Sequence, residues 1–158
     1  MGQLSWNCQF LGYLQQIDQL AERLRHDKEL ISAVEYVTAH LISTLGTGHK
    51  ILIAGNGGSA AHAQHFAAEL VGRFARKRRA LAALALTTDT SIITAWSNDF
   101  SFEDVFARQI EALGIPGDIF LAVSTSGNSP NVISAWHAAR LRGLGLACLL
   151  GKGGGELH

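Results

Sequence analysis

A chain of 158 residues has room for one domain with a short helical extension and excludes two independent cores. Thirteen Lys and Arg balance thirteen Asp and Glu, so no net basic field draws the protein to nucleic acid or an anionic membrane, which argues against a general DNA coat protein. Charged residues are 16% and hydrophobic residues 47%; that is less charge than the roughly 25% of a typical soluble domain, and it implies apolar surface buried against other copies of the chain.

The first fifty residues read as two helices. Phe10, Leu11, Leu14, Ile17, Leu20, Ala21 and Leu24 recur at steps of three and four, and so do Leu30, Ile31, Val34, Val37, Leu41, Ile42 and Leu45, each set making one apolar stripe. His26-Asp27-Lys28 separates them, and Gly46-Thr47-Gly48 ends the second with a glycine signal. The stripes serve either as core or as a subunit interface. No basic segment followed by an apolar core opens the chain, and no apolar run reaches the ~18 residues of a membrane span, so cytoplasmic residence is expected. Cys8 and Cys148 stand far apart without a metal-binding spacing and are expected to be buried thiols rather than a staple.

After Gly48 short apolar runs alternate with helical patterns, the mark of parallel strand-helix units. Strands are predicted at Ile51 to Ala54, Leu81 to Leu86, Ile119 to Val123 and Leu146 to Leu150. Their unbroken apolar character fits a sheet covered on both faces. Helices are predicted at Ser59 to Phe74, Thr90 to Trp96, Phe102 to Leu113 and Pro130 to Arg142, the last with Ser129 as a candidate cap and Pro130 in its first turn. The expected fold is therefore α/β, a three-layer sandwich around a central parallel sheet preceded by two helices. A helical pair over 1–48 and an α/β core over 49–158 form a single domain in this reading.

In such sheets ligands bind beyond the carboxyl ends of strands. Seventeen glycines and two prolines suit tight loops there. Gly55-Asn56-Gly57-Gly58-Ser59 follows the first strand and opens a helix, which lets backbone N–H groups face an anion. Ser124-Thr125-Ser126-Gly127-Asn128-Ser129 does the same after the third strand and adds four hydroxyls. Neither loop has the spacing of a nucleoside triphosphate or dinucleotide site, and neither carries a Lys. A compact monophosphate is the expected ligand.

Three further features are candidates. His62, His65 and Glu69 share a helix face, with His65 and Glu69 spaced to chelate a metal or share a proton. Glu69 lies ~15 Å along that helix from the glycine loop, too far to serve an anion at its own helix start, but within reach of the sugar end of a ligand held by the other loop or of a site in a neighbouring subunit. The run Arg73 to Arg79 holds five cations in seven residues; it reads as a solvated helix end, a reach of Arg73 across a subunit boundary, or a local nucleic-acid patch. Asn98-Asp99 is a helix-ending turn or a hydroxyl-binding pair.

Taken in order, G-N-G-G-S-A-A from Gly55, H-F-A-A-E-L from His65, A-L-T-T-D from Ala85, N-D-F from Asn98 and S-T-S-G-N-S-P-N from Ser124 closely resemble the sugar isomerase (SIS) domain family, in particular its branch acting on seven-carbon sugar phosphates. The resemblance implies an aldose-ketose isomerase that converts sedoheptulose 7-phosphate to D-glycero-D-manno-heptose 7-phosphate through an enediol, for lipopolysaccharide or other surface heptose. It implies substrate contacts at Asn56, Gly57, Gly58, Glu69, Asn98, Asp99, Ser124, Thr125, Ser126 and Ser129, with Glu69 as catalytic base. It also implies zinc held by His65 and Glu69, and a homotetramer with active sites shared between neighbours.

Relatives run on past Gly151-Lys152-Gly153-Gly154-Gly155 into a further strand and helix that supply a Gln and a His, so the 158 residues alone are expected to be inactive. The competing reading is a non-catalytic SIS module of the kind that associates with a replication initiator. That relative lacks the carboxylate carried here by Glu69, which favours the enzyme.

Overall fold

The computed structural model describes residues 6–158. They divide into two compact units, one ending at Ala39 and the other spanning His40–His158.

The first unit is helical. α1 (Trp6–His26) and α2 (Lys28–Gly46) are separated by Asp27 alone. Its Oδ1 accepts the Leu30 N–H at 2.9 Å, satisfying one of the unpaired donors of a new helix start. The apolar stripe of α1 is exposed, with Phe10 62%, Ile17 60% and Leu20 56% accessible. Cys8 is exposed on this helix, a correction to its expected burial: the α1 surface is uncovered in a single chain. None of the described helices is long and apolar enough to cross a membrane.

The second unit is the predicted parallel α/β sandwich. Its strands are β1 (Ile51–Gly55), β2 (Ala83–Ala85), β3 (Ile119–Ser124) and β4 (Gly145–Leu150), in the order β2-β1-β3-β4 with every pair parallel. The helices are α3 (Gly58–Val71), α4 (Thr90–Asp99), α5 (Val105–Leu113) and α6 (Pro130–Leu141). All five residues of β1 are buried, as continuous apolar runs require when both sheet faces are covered. Leu52, Ala54, Phe120 and Ala122 face a core completed by Phe106 and Ile110 of α5 and Val132, Ala135 and Ala139 of α6. Alternate residues point to the other face, where α3 packs on β1 through the small, buried Ala63 and Ala67.

Several boundaries differ from expectation. β2 is three residues long rather than the predicted run Leu81 to Leu86, although Ile51 N–H to Ala82 O and Leu86 N–H to Ile53 O extend its pairing on both sides. α3 stops at Val71, short of Phe74, because Gly72 closes it with an N–H bond to Ala68 O. α4 runs on through Asn98 and Asp99, and a short turn at Phe102–Asp104 precedes α5.

At the amino ends of β1 and β3 the carboxylate of Asp118, wholly buried, ties the strands together. It accepts from Lys50 N–H at 3.0 Å, Lys50 Nζ at 2.5 Å and Ile115 N–H at 3.0 Å. Burial pushes its pKa upward, but the Lys50 side-chain bond, the backbone N–H bonds of Lys50 and Ile115, and the Lys50 charge outweigh that and hold it below the ordinary carboxylate value.

Candidate functional site

From β1 the chain turns toward β2 and from β3 it turns the opposite way toward β4. The switch point of the sheet therefore lies between the carboxyl ends of β1 and β3, where Gly55 is in register with Val123. A doubly wound sheet opens its ligand crevice at this position. The two loops singled out in the sequence are the ones that emerge there.

The glycine loop is shaped by close approach. A Cβ on Gly55 would fall 2.6 Å from Val123 O and 2.8 Å from Ser59 Cβ, so a side chain at this point would push β1 off β3 or α3 off the sheet. Gly57 has φ 53° and leads directly into α3, where the N–H groups of Ser59, Ala60 and Ala61 bond to the carbonyls of Asn56 and Gly57. Gly55, Asn56, Gly57 and Ala60 line a cavity of about 170 Å³ together with Thr87 after β2, Ile93 of α4, Phe102 and Phe106.

The hydroxyl loop is held from within. Ser124 is 4% exposed; its Oγ accepts Gly127 N–H at 3.0 Å and lies 3.4 Å from Ser129 Oγ. Ser126 Oγ accepts Asn128 N–H at 3.2 Å. Ser129 occupies the position before α6, but its side chain makes no capping bond. That corrects the predicted cap: the hydroxyl faces Ser124, and only the Ser129 carbonyl serves the helix, accepting from Val132 and Ile133.

Asn131, which the sequence motif contains but which has no predicted role, joins the two loops. Asn56 Nδ2 donates to Asn131 Oδ1 at 2.8 Å, and Asn131 Nδ2 donates to Asn56 Oδ1 at 2.9 Å. The glycine-rich segment 151–158 closes behind the hydroxyl loop. Glu156 N–H donates to Asn128 Oδ1 at 2.8 Å and Leu157 N–H to Gly127 O at 3.3 Å.

The other expected site residues stand away from this crevice in a single chain. His65 Nε2 and Glu69 Oε1 are 3.2 Å apart on successive turns of α3, and neither lines the cavity. Asn98 and Asp99 are exposed at the end of α4, where Asn98 Nδ2 donates to Asp99 Oδ1 at 2.8 Å. A second cavity of about 360 Å³ lies against Trp96, Arg108, Ser134 and His137 and contains none of the predicted site residues.

Zinc sites need three or four protein donors. Among the described residues no group of three or more His, Cys, Asp and Glu side chains comes together to hold a metal. His65 and Glu69 are donors of suitable chemistry but form half a shell, 3.2 Å from each other, so these residues alone do not fit the ion.

Comparison with known proteins agrees with this geometry. The pattern of the SIS domain matches residues 12–151. A phosphoheptose isomerase of Nitratidesulfovibrio vulgaris is 61% identical over 114 residues, covering 72% of this chain and 55% of its own length. One of Bradyrhizobium sp. is 53% identical over 139 residues, covering 86% and 70%. This chain thus spans 55% to 70% of the length of these relatives. The solved phosphoheptose isomerase of Francisella tularensis superposes with a TM-score of 0.90 at 35% identity, over 99% of this chain and 80% of that one. That of Neisseria gonorrhoeae gives 0.83 at 42% identity, over 94% and 78%. With a glycine loop and a hydroxyl loop meeting at the switch point of a shared fold, the chain belongs to the SIS domain family and, within it, to the phosphoheptose isomerases.

Proposed function

We propose that the protein acts as an aldose-ketose isomerase on sedoheptulose 7-phosphate, giving D-glycero-D-manno-heptose 7-phosphate in the cytoplasm for surface heptose synthesis. The observation that carries this reading is the meeting of a glycine loop and a four-hydroxyl loop at one crevice, joined by Asn56 and Asn131. Ser124, Thr125, Ser126 and Ser129 take the phosphate with backbone N–H groups and hydroxyls, which suits a compact dianion. Asn56, Gly57 and Gly58 border the sugar, and Asn98 and Asp99 supply a donor and acceptors for its hydroxyls.

In the reaction Glu69 removes a proton from C1 of the ketose. A C1–C2 double bond forms and the carbonyl oxygen on C2 gains a proton from an acid, giving the enediol. The O1 proton then leaves as the C1 carbonyl forms, and Glu69 returns its proton to C2. No step is routed through a metal, since His65 and Glu69 alone do not complete a zinc shell.

Glu69 lies ~15 Å of helix rise from the glycine loop of its own chain, and α1 carries an exposed apolar stripe. Both facts support an oligomer in which Glu69 serves a neighbouring crevice, and the resemblance makes that oligomer a homotetramer. The test is turnover of sedoheptulose 7-phosphate by the full-length protein, not the 158 residues alone, against its Glu69→Gln variant. Loss of turnover with retained phosphate binding supports the reading, and an active Glu69→Gln variant would sink the base assignment.

A further inference from the structure

The basic run Arg73 to Arg79 has no part in the reading above, yet its end folds back onto the helix that bears Glu69. Because α3 stops at Val71, the carbonyls of its last turn have no intrahelical donors. Gly72 N–H meets Ala68 O at 2.9 Å. The guanidinium of Arg78 meets the next two, Nη2 donating to Glu69 O at 2.6 Å and Nη1 to Leu70 O at 2.8 Å. Leu81 N–H also reaches Leu70 O at 3.1 Å. The neighbouring Arg79 Nη2 donates to Leu45 O at 3.0 Å, so adjacent arginines secure the ends of α3 and α2.

We propose that Arg78 is a positioning residue that sets the direction of the Glu69 side chain through the α3 backbone; the proposal rests on the isomerase reading with Glu69 as base. The carbonyl gripped by Nη2 belongs to Glu69 itself, one bond from the Cα that carries the carboxylate arm. Fixing that peptide plane fixes the Cα–Cβ direction at a point where a helix would otherwise fray. The planar guanidinium can hold two successive carbonyls at once, whereas a lysine offers a flexible point charge of the same sign. A charge effect on the helix dipole would survive Arg78→Lys; a two-pronged grip would not.

The experiment uses the full-length protein, not the 158 residues alone, and measures kcat, KM and the thermal midpoint for wild type, Arg78→Lys and Arg78→Ala. The expected result is a fall in kcat of about tenfold or more in both variants with KM little changed, as small misplacement of a reacting group produces. Added guanidinium ion at non-denaturing concentration is expected to restore kcat of Arg78→Ala. Hydrogen exchange of Leu81 and of the last α3 turn is expected to quicken in both variants. Wild-type kcat in Arg78→Lys, or a lowered midpoint with kcat intact in Arg78→Ala, would overturn the proposal. Absence of turnover in wild type would instead overturn the isomerase reading, and unchanged exchange in Arg78→Ala would show that no grip exists.

Discussion

Asn56 and Asn131 face each other across the switch point through two reciprocal amide bonds of 2.8 and 2.9 Å. Asn131 is 3% exposed, so losing its partner leaves a buried amide unmet, at a cost of roughly 1–3 kcal/mol. Asn131→Ala is expected to lower the thermal midpoint and raise KM for the sugar phosphate while leaving kcat at saturation within a few-fold. The Asn56→Ala, Asn131→Ala double variant should be less destabilised than the sum of the singles, because both remove the same bonds. Additive losses in thermal unfolding would show that the two amides act independently.

The opposite end of the same strand pair depends on Asp118. Its folded pKa is lowered, so its stabilising contribution is fully present above the unfolded carboxylate value and is lost as pH falls through the folded value. Asp118→Ala removes the acceptor of two backbone N–H groups and of Lys50 Nζ, and breaking a buried pair of this kind costs about 3 kcal/mol. Urea unfolding at neutral pH should show that loss. On acidification wild type should lose stability toward the variant, and a constant gap between them down to the onset of acid unfolding would contradict the assignment.

The elements legible in the sequence were those that burial alone dictates. Ile51 to Ala54 and Ile119 to Val123 are strands because unbroken apolar runs suit a sheet covered on both faces, and the position of both loops at the strand ends followed from their composition and place. What the sequence concealed depends on partners far along the chain. Asn131 finds Asn56 across 75 positions, Asp118 finds Lys50 across 68, and neither distance leaves a periodicity. Ser129 looked like a cap because its position is a cap position; its hydroxyl was drawn instead toward Ser124. The arginine run suggested cations at a helix end, but which arginine returns to the carbonyls follows from the turn after Gly72. The remoteness of Glu69 from its own crevice was readable from helix rise alone.

Gly127 joins the hydroxyl loop to segment 151–158. Its φ of 66° disfavours any L side chain, and a Cβ there would fall 1.6 Å from Gly154 O. Gly127→Ala must displace one backbone or the other, since no flexible side chain can yield. We expect faster hydrogen exchange at Glu156 and Leu157, whose N–H groups bond to this loop, and at least tenfold weaker binding of inorganic phosphate, about 1.4 kcal/mol. Unaltered exchange and phosphate affinity would mean that the loop and the segment behind it are not coupled.

Sharing of each crevice between subunits has a direct readout in mixtures of inactive variants. Glu69→Gln removes the base on α3, while Ser124→Ala removes the hydroxyl that accepts Gly127 N–H and faces Ser129. If each site takes its loops from one chain and its carboxylate from another, co-refolding equal amounts gives roughly a quarter of the sites both intact parts, by random assembly of a symmetric oligomer. Turnover should then rise from near zero in either variant alone to about that fraction of wild type, since the chemistry needs base and phosphate loop together. If a single chain supplies both parts, every site in the mixture lacks one of them. Activity that stays at the level of the separate variants, in samples shown by light scattering to contain mixed oligomers, would place Glu69 with the loops of its own chain.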